Sequence, residues 1–402
     1  MSGENFMKKL LDGVHVDWVA LGSVADIGTG NSNRQDESEK GVYPFYVRSK
    51  NILRSDIFQF DEVAIVIPGE GGIGDIFHYV EGKYALNHRA YRISTTSDVV
   101  NTKFLYYFML SNFKQYILTK SVGATAISIR KPMLERFQIP IPCPENPKKS
   151  LEIQAEIVRI LDAFTAHTAE LTAELTARKK QYHYYRDKLL SFEEEEVEWK
   201  RLGEIARIVT GRTPKSSDKA AWGDEVDFVT PSDIKDGMRT ITCPNRRLSA
   251  AGALTMSKVQ IPGGSLLVTC IGADMGKTVI NANDCIPNQQ INAIILIDGS
   301  VQTSYLFHVL TSMRGTLRRQ GEQGGGTMPL INKNDFSKIV VPLPDMGEQT
   351  RIVAILDKFD TLANAISEGL PREIALRNQQ YEYYRDLLLS FPKSESAAVV
   401  TT

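Results

Sequence analysis

The chain has 402 residues, enough for two or three domains with cores of their own. Its hydrophobic and charged fractions, 42% and 24%, are those of a soluble globular protein, and no apolar run is long enough to cross a bilayer. Formal net charge is −1, so a polyanionic partner would have to be met by local basic surfaces.

The N-terminal stretch MSGENFMKKLLDGVHVDW has no apolar signal core, which argues against export. Residues 1–147 read as a first globular domain opened by a short N-terminal helix. Its runs EVAIVIPGE and DIFHYVEGKY predict strands, and TKFLYYFMLSNFKQYILTK (102–120) predicts one helix. Residues 148–192 predict a long amphipathic helix: Ile157, Ile160, Phe164, Leu171, Leu175, Tyr182, Tyr185 and Leu189 recur at steps of three, four or seven. The acid run at 193–196 reads as a solvated linker.

A second globular domain follows over 193–344, with strands predicted at SLLVTCIG and AIILIDG and one helix over 304–320. Residues 345–392 carry a second amphipathic stripe through Ile352, Ile355, Phe359, Leu362 and Ile366. Gly369-Leu370-Pro371 breaks it, and Ile374, Tyr381, Tyr384, Leu388 and Phe391 resume it. Residues 393–402 are expected to be a disordered tail.

The two halves repeat one another. QYHYYRD (181–187) returns as QYEYYRD (380–386), each running into a Leu-rich end and Ser-Phe. Fainter matches precede them: VDWVALGSVADIGTG (16–30) with VEWKRLGEIARIVTG (197–211), FYVRSKNI (45–52) with DFVTPSDI (227–234), and NHRAYRI (87–93) with NQQINAI (288–294). GATAISIRKPMLERFQIPIP (123–142) likewise faces GGTMPLINKNDFSKIVVPLP (325–344). Shared positions are apolar, Gly or Pro, so they look like scaffold, while the residues between them diverge. KKLLDGVHVDW near the start echoes DKLLSFEEEEVEW in the middle, which makes the repeat cyclic.

Catalytic motifs fail on inspection. GEGGIG (69–74) has dinucleotide-loop spacing but predicts no helix behind it. IGADMGKT (271–278) has Ile271 where a phosphate loop needs its first Gly. Both fall at one place in the repeat, so a Gly-rich turn between strands explains them together. SDIK (232–235) lacks the upstream acid of a nuclease, and no Asn-Pro-Pro-aromatic stretch exists for amino-group methylation. The six histidines fall into no metal-ligand spacing. Cys143, Cys243, Cys270 and Cys285 form no CxxC pair, which argues against structural zinc and fits a reducing, cytoplasmic setting.

What remains is polar and basic chemistry in loops. The first domain offers Arg48, Lys50, Asn51, Arg54, Asn87, His88 and Arg89, then Thr125, Ser128, Arg130 and Lys131. The second offers Arg212, Thr213, Lys215, Ser232, Asp233, Asn288, Gln289 and Gln290, then Gln323, Gly325, Thr327 and Lys333. Arg, Asn and Gln can pair bidentately with guanine or adenine edges, and Lys and Gly-rich backbone suit phosphates. Each cluster also has a bland reading. Asn-Gln-Gln can satisfy strand-edge backbone, Arg318 and Arg319 can complement a helix C-terminus, and the tyrosine strings, lying on the apolar stripe, read as packing before recognition.

Two diverged domains, each followed by a helix ending in QYxYYRDxLLSF, resemble the specificity subunit of type I restriction–modification systems. TAELTAELTARKKQY (168–182) and GLPREIALRNQQYEYYRD (369–386) point to the type IC branch. The resemblance covers essentially the whole chain. It implies an α+β fold: two similar target recognition domains, of mixed β-sheet plus helices, separated by two long antiparallel spacer helices in a pseudo-two-fold cyclic repeat. It further implies that each domain reads one half of a bipartite site in double-stranded DNA. The helices would set the spacing and dock two modification subunits, through residues such as Tyr182, Tyr185, Arg186, Tyr381, Tyr384 and Arg385. S-adenosylmethionine, ATP and Mg2+ would enter through those partners and the restriction subunits, with no cofactor, catalytic residue, metal or membrane for this chain. Two other classes compete: a self-contained methyltransferase or nuclease, and a helical scaffold with two domains for ligands other than DNA.

Overall fold

The computed structural model describes residues 14–72, 74–120, 128–215, 217–297, 299–323, 328–364 and 369–392. The short N-terminal helix expected before residue 14, the tail 393–402, and Thr125, Gly325 and Thr327 lie outside them. Among the described residues no helix is long and apolar enough to cross a membrane. The chain divides into two compact units, residues 1–168 with 377–402, and residues 169–376.

In the first unit the strands are β1 (Val16–Ala20), β2 (Ala25–Thr29), β3 (Tyr43–Tyr46), β4 (Leu53–Ser55), β5 (Phe60–Pro68), β6 (His78–Leu86) and β7 (Ala90–Thr95). Helices α1 (Thr102–Lys120) and α2 (Lys131–Glu135), strand β8 (Gln138–Pro142) and helix α3 (Pro147–Leu189) follow. The main sheet runs β2-β7-β5-β6-β3-β4, and β1 pairs with β8 beside it. Helix α1 covers the predicted 102–120, and its Phe104, Phe108 and Phe113 are buried against Ile65, Ile93 and Phe137.

The second unit repeats this plan in β9 (Glu198–Arg201), α4 (Leu202–Ile205), β10 (Ala206–Thr210), β11 (Trp222–Gly223), β12 (Val226–Val229), β13 (Thr240–Ile241), β14 (Arg246–Leu248) and α5 (Ala250–Thr255). Strands β15 (Leu266–Thr269), β16 (Thr278–Asn281), β17 (Cys285–Pro287) and β18 (Ile291–Leu296) lead to helices α6 (Thr303–Ser312), α7 (Arg314–Glu322) and α8 (Lys333–Ser337). Strand β19 (Val340–Leu343) and helices α9 (Met346–Asn364) and α10 (Gly369–Leu388) complete it. Two segments stand where β6 stands alone in the first unit. The sheet therefore divides into β10-β18-β15-β16-β13 and β11-β14-β12-β17. The single helix expected over 304–320 is two, α6 and α7, stepping at Met313. Gly315, a weak helix former, falls at that step.

One glycine in each unit fixes the crossing of the sheet strands. A Cβ on Gly30 would sit 1.8 Å from the Leu86 carbonyl oxygen, and one on Gly211 would sit 2.1 Å from that of Pro287. Only glycine allows such an approach.

Each long helix is latched to its domain by a fully buried glutamine. Gln154 Oε1 accepts from the Asn101 N–H at 2.8 Å, and its Nε2 donates to the Val99 carbonyl at 2.9 Å. Gln349 makes the same pair of bonds, to the Gln302 N–H at 2.9 Å and the Ser300 carbonyl at 3.0 Å. Gln154→Leu strands a buried donor and acceptor, at about 1–3 kcal/mol for each. We expect Q154L to lower the urea midpoint of the first unit well below wild type; an unchanged midpoint would show that the latch is dispensable.

A second link lies about two turns on. Asp162 accepts from the Tyr107 hydroxyl at 2.6 Å and pairs with Lys103 at 2.9 Å. In the second unit Asp357 holds His308 at 2.7 Å and Arg239. Burial alone would raise the Asp357 carboxyl, but hydrogen bonds from His308 and Arg239 outweigh it and keep the group below the ordinary carboxylate range.

The repeated tyrosine strings belong to the domain cores. Tyr182 is 3% exposed within the second unit's core, where Leu189, Leu190 and Phe192 also pack. Tyr381 and Tyr384 pack against the first unit's core, and Leu388, Leu389 and Phe391 are buried in it. Each domain is thus completed by the string that lies at the far end of the opposite half of the sequence.

Candidate nucleic-acid interface

In the first domain, four strand ends bring their loops together. Asn87, after β6, donates its side-chain Nδ2 to the Ser32 carbonyl at 3.1 Å and accepts from the Arg89 N–H at 3.0 Å. Its backbone N–H meets the Tyr46 carbonyl at 3.0 Å, which ties in the loop after β3. That loop is also pinned by His78, whose Nε2 lies 3.3 Å from the Ser49 carbonyl. Burial lowers the His78 pKa, with the bond to Ser49 opposing. The result is an open cleft of about 750 Å³ lined by Arg34, Arg48, Asn51, Glu70, His88 and Arg89 among others.

Of the residues singled out from sequence, Arg48, Asn51, Asn87, His88 and Arg89 line this one cleft. Lys50 is exposed in the same loop. Ser128 is bridged to Glu70, and the exposed Arg130 and Lys131 follow it into α2. Lys131 lies 3.9 Å from Glu135. Arg54 is drawn elsewhere, its Nη1 donating to the Val42 carbonyl at 3.1 Å. Asn87 is 8% exposed and occupied by backbone, so it builds the turn and offers no base-reading edge.

The second domain assembles the same loops with other residues. Asn288 donates its backbone N–H to the Val229 carbonyl at 2.8 Å, and its Oδ1 accepts from the Gln290 N–H at 3.0 Å. Its Nδ2 is bonded to Gln290 Oε1 at 3.1 Å, so it too is a turn builder. Thr213 is hydrogen-bonded to Gln289 at the exposed rim, and Arg212 and Lys215 are exposed beside it. Ser232 is exposed and bonded to Thr230 at 2.8 Å. Asp233 is 6% exposed and takes hydrogen bonds from Thr230 and Asn245, a structural hub in place of the expected contact residue. Gln323 and Lys333 are exposed at the end of α7 and the start of α8. Arg318 pairs with Glu322 at 3.1 Å, and Arg319 with Thr316 at 3.1 Å, both within helix α7.

These bonds correct the repeat alignment by one residue. The Tyr46 and Val229 carbonyls play the same part, so Phe45 stands opposite Phe228, and Arg48 opposite Pro231. The pleat explains the shift, since both phenylalanines must point inward and both are buried.

Neither Gly-rich motif is followed by the helix that a nucleotide-binding loop requires. Behind GEGGIG comes strand β6, not a helix. In IGADMGKT the Gly276 N–H is bonded to the Thr269 carbonyl at 2.8 Å and the Lys277 N–H to the Thr269 hydroxyl at 2.9 Å. Gly74 and Gly276 have φ of 74° and 82° and turn the chain at the same place in each unit.

The tyrosine strings divide between packing and exposure. Burial pushes the Tyr182 hydroxyl up to about 12. Tyr185 stacks on Phe359 at 5.3 Å, and Tyr384 on Phe164 at 5.2 Å. The Arg186 and Arg385 side chains are 12% and 24% exposed, each lying over a tyrosine of its own helix. Tyr185 keeps 37% exposure, and the most exposed tyrosines are Tyr184 and Tyr383, at 62% and 56%. Periodicity could have found them, because they sit off the apolar stripe.

The sequence signature of the type I restriction modification DNA specificity domain matches residues 14–178 and again 194–376. The Escherichia coli type I restriction enzyme EcoR124I/EcoR124II specificity subunit is 36% identical over 99% of this chain and 100% of its own length. A Haemophilus influenzae protein, the putative specificity subunit S.HindORF215P, is 31% identical over 97% of this chain and 99% of its own. The crystal structure of a type I restriction-modification S subunit from M. genitalium shares the fold with a TM-score of 0.63 at 15% identity, covering 95% of this chain and 98% of that one. A repeated α+β domain joined by long helices, with polar loop clusters, thus coincides with a family signature found twice and relatives aligned from end to end: the chain belongs to the type I restriction–modification specificity subunits, as a DNA-recognition component and not a catalytic one.

Proposed function

We propose that each globular domain reads one half of an asymmetric bipartite site in double-stranded DNA, and that the helical segments set the distance between half-sites and dock two modification subunits. The observation that carries this reading is the contrast within the repeat. Turn-building Asn87 and Asn288 and the close-packed Gly30 and Gly211 are kept, while the residues at the cleft mouths differ. Equal frames with unequal reading edges suit two different half-sites. The near-identical strings present Tyr184 and Tyr383 alike, which suits two copies of one partner. On this reading S-adenosylmethionine is held by the modification subunits, and ATP with Mg2+ by the restriction subunits.

Exchanging residues 14–147 for those of a homologue is expected to change one half-site in a genome-wide methylation map and leave the other as it was. The graft must keep apolar partners for Leu388, Leu389 and Phe391, which pack into this domain's core. A folded chimera that altered both half-sites would refute independent reading.

A further inference from the structure

At the mouth of the first domain's cleft, two arginines share one carboxylate. Arg48 Nη1 lies 3.0 Å from Glu70 Oε2, and Arg89 Nη1 lies 3.6 Å from the same oxygen. The carboxylate is built into the frame. The Gly69 N–H donates to the Arg89 carbonyl at 2.8 Å, the Ile129 N–H donates to the Gly69 carbonyl at 2.8 Å, and Glu70 is bridged to Ser128. Arg89 is steadied from its other side, its Nε donating to His88 Nε2 at 3.2 Å while His88 Nδ1 faces the Ser32 carbonyl at 3.3 Å. One neutral tautomer, Nδ1–H, satisfies both bonds. The three charged side chains are nevertheless about half exposed, at 46%, 49% and 50% for Arg48, Glu70 and Arg89. A held but open cluster is what a reading edge needs.

The second domain shows that the cluster is not scaffold. Its Cys270 N–H bonds to the Gln290 carbonyl, as that of Gly69 does to Arg89, and Ile271 is bridged to Leu330, as Glu70 is to Ser128. Ile271 therefore stands in for Glu70, Gln290 for Arg89 and Pro231 for Arg48. All three charges are replaced together, while the Asn turn beneath them is retained.

We propose that Glu70, with Arg48 and Arg89, reads a G·C pair in the half-site of the first domain. A guanidinium matches the O6 and N7 acceptors of guanine in the major groove, and a carboxylate accepts from the N4 amine of cytosine. Glu70 also pairs with both arginines at the cleft mouth, so it acts both as a contact and as a positioning residue. The second domain, without any of the three, reads its half-site by other means.

This rests on the half-site reading above, and the test separates the two. The complete complex with its modification partner is assayed for genome-wide methylation and for methylation rates on duplexes carrying each single-pair change. Glu70→Gln keeps the shape and removes the charge. It is expected to reduce discrimination at one G·C pair of one half-site about ten- to hundredfold, with the other half-site unchanged. Arg89→Lys, which loses the bidentate fork, should relax the same pair, and Glu70→Asp should restore part of the preference. A wild-type motif that both E70Q and R89K leave unaltered would overturn the proposal alone. So would relaxation confined to A·T pairs, or a loss of rate equal on all duplexes, which marks contacts to phosphates only. A wild-type complex without any bipartite motif would remove the reading beneath it.

Discussion

Ending the chain after Asp386 is expected to unfold the first globular domain while the second keeps its core. Among the residues removed, Leu388, Leu389 and Phe391 are 1%, 3% and 8% exposed inside the first domain. Phe391 meets Phe104 edge-on at 5.9 Å, and the Trp18 indole donates to the Pro392 carbonyl at 3.0 Å. Losing a buried Leu costs about 2–5 kcal/mol and a buried Phe about 3–5. Together these losses rival the whole stability of a domain, about 5–15 kcal/mol. The second unit has its own counterparts, Leu189, Leu190 and Phe192, and these stay in place. Hydrogen exchange should therefore show protection lost in β5, β7 and α1 and retained in β15, β18 and α6. Equal protection in both units, or loss in the second, would contradict the assignment.

Inserting a third TAEL unit after Leu175 is expected to leave both half-sites unchanged and to lengthen the unspecified stretch between them by one base pair. Helix α3 runs without a break through 168–175, with Leu171 buried at 8% and Glu170, Thr172, Ala173 and Glu174 exposed. A further unit repeats that pattern. Four residues add about 6 Å of helix and about 40° beyond a full turn, so the new Leu falls nearly on the old stripe. B-DNA rises roughly 3.4 Å per base pair, and a helix inclined to the duplex converts the added length into a shift of about one pair. A methylation map returning the original spacing would show that this helix is not the measure between half-sites.

Much of this fold was legible because repetition exposes it. The amphipathic stripe placed α3 within a few residues of its observed ends, and α1 was readable from its own composition. The tyrosines were harder. The same stripe serves a helix that docks on a partner and one that docks on its own domain, so Tyr182 could not be placed inside the core from spacing alone. The alignment of β3 with β12 slipped by one because short strands carry too few side chains to fix their pleat. Asn87, Asn288 and Asp233 read as polar loop residues, but only the bonds made across loops tell a turn builder from a reading edge. Glu70 is invisible to sequence patterning for a related reason. A lone acid in a Gly-rich turn has no periodic signal, and its partners Arg48 and Arg89 come from other loops.

The cyclic closure of the domains has a consequence for synthesis. A chain leaves the ribosome from its N-terminus, and domains ordinarily fold in that order as they emerge. Here the first domain emerges first but cannot be finished until residues 388–391 are released, because those side chains fill its core. The second domain needs Tyr182 and Phe192, already made, and Ile352 and Leu356, which follow it closely. So the order of completion is reversed. Until residues 388–391 have been made, the nascent first domain therefore carries an open apolar socket at Phe104, the ring that Phe391 later meets.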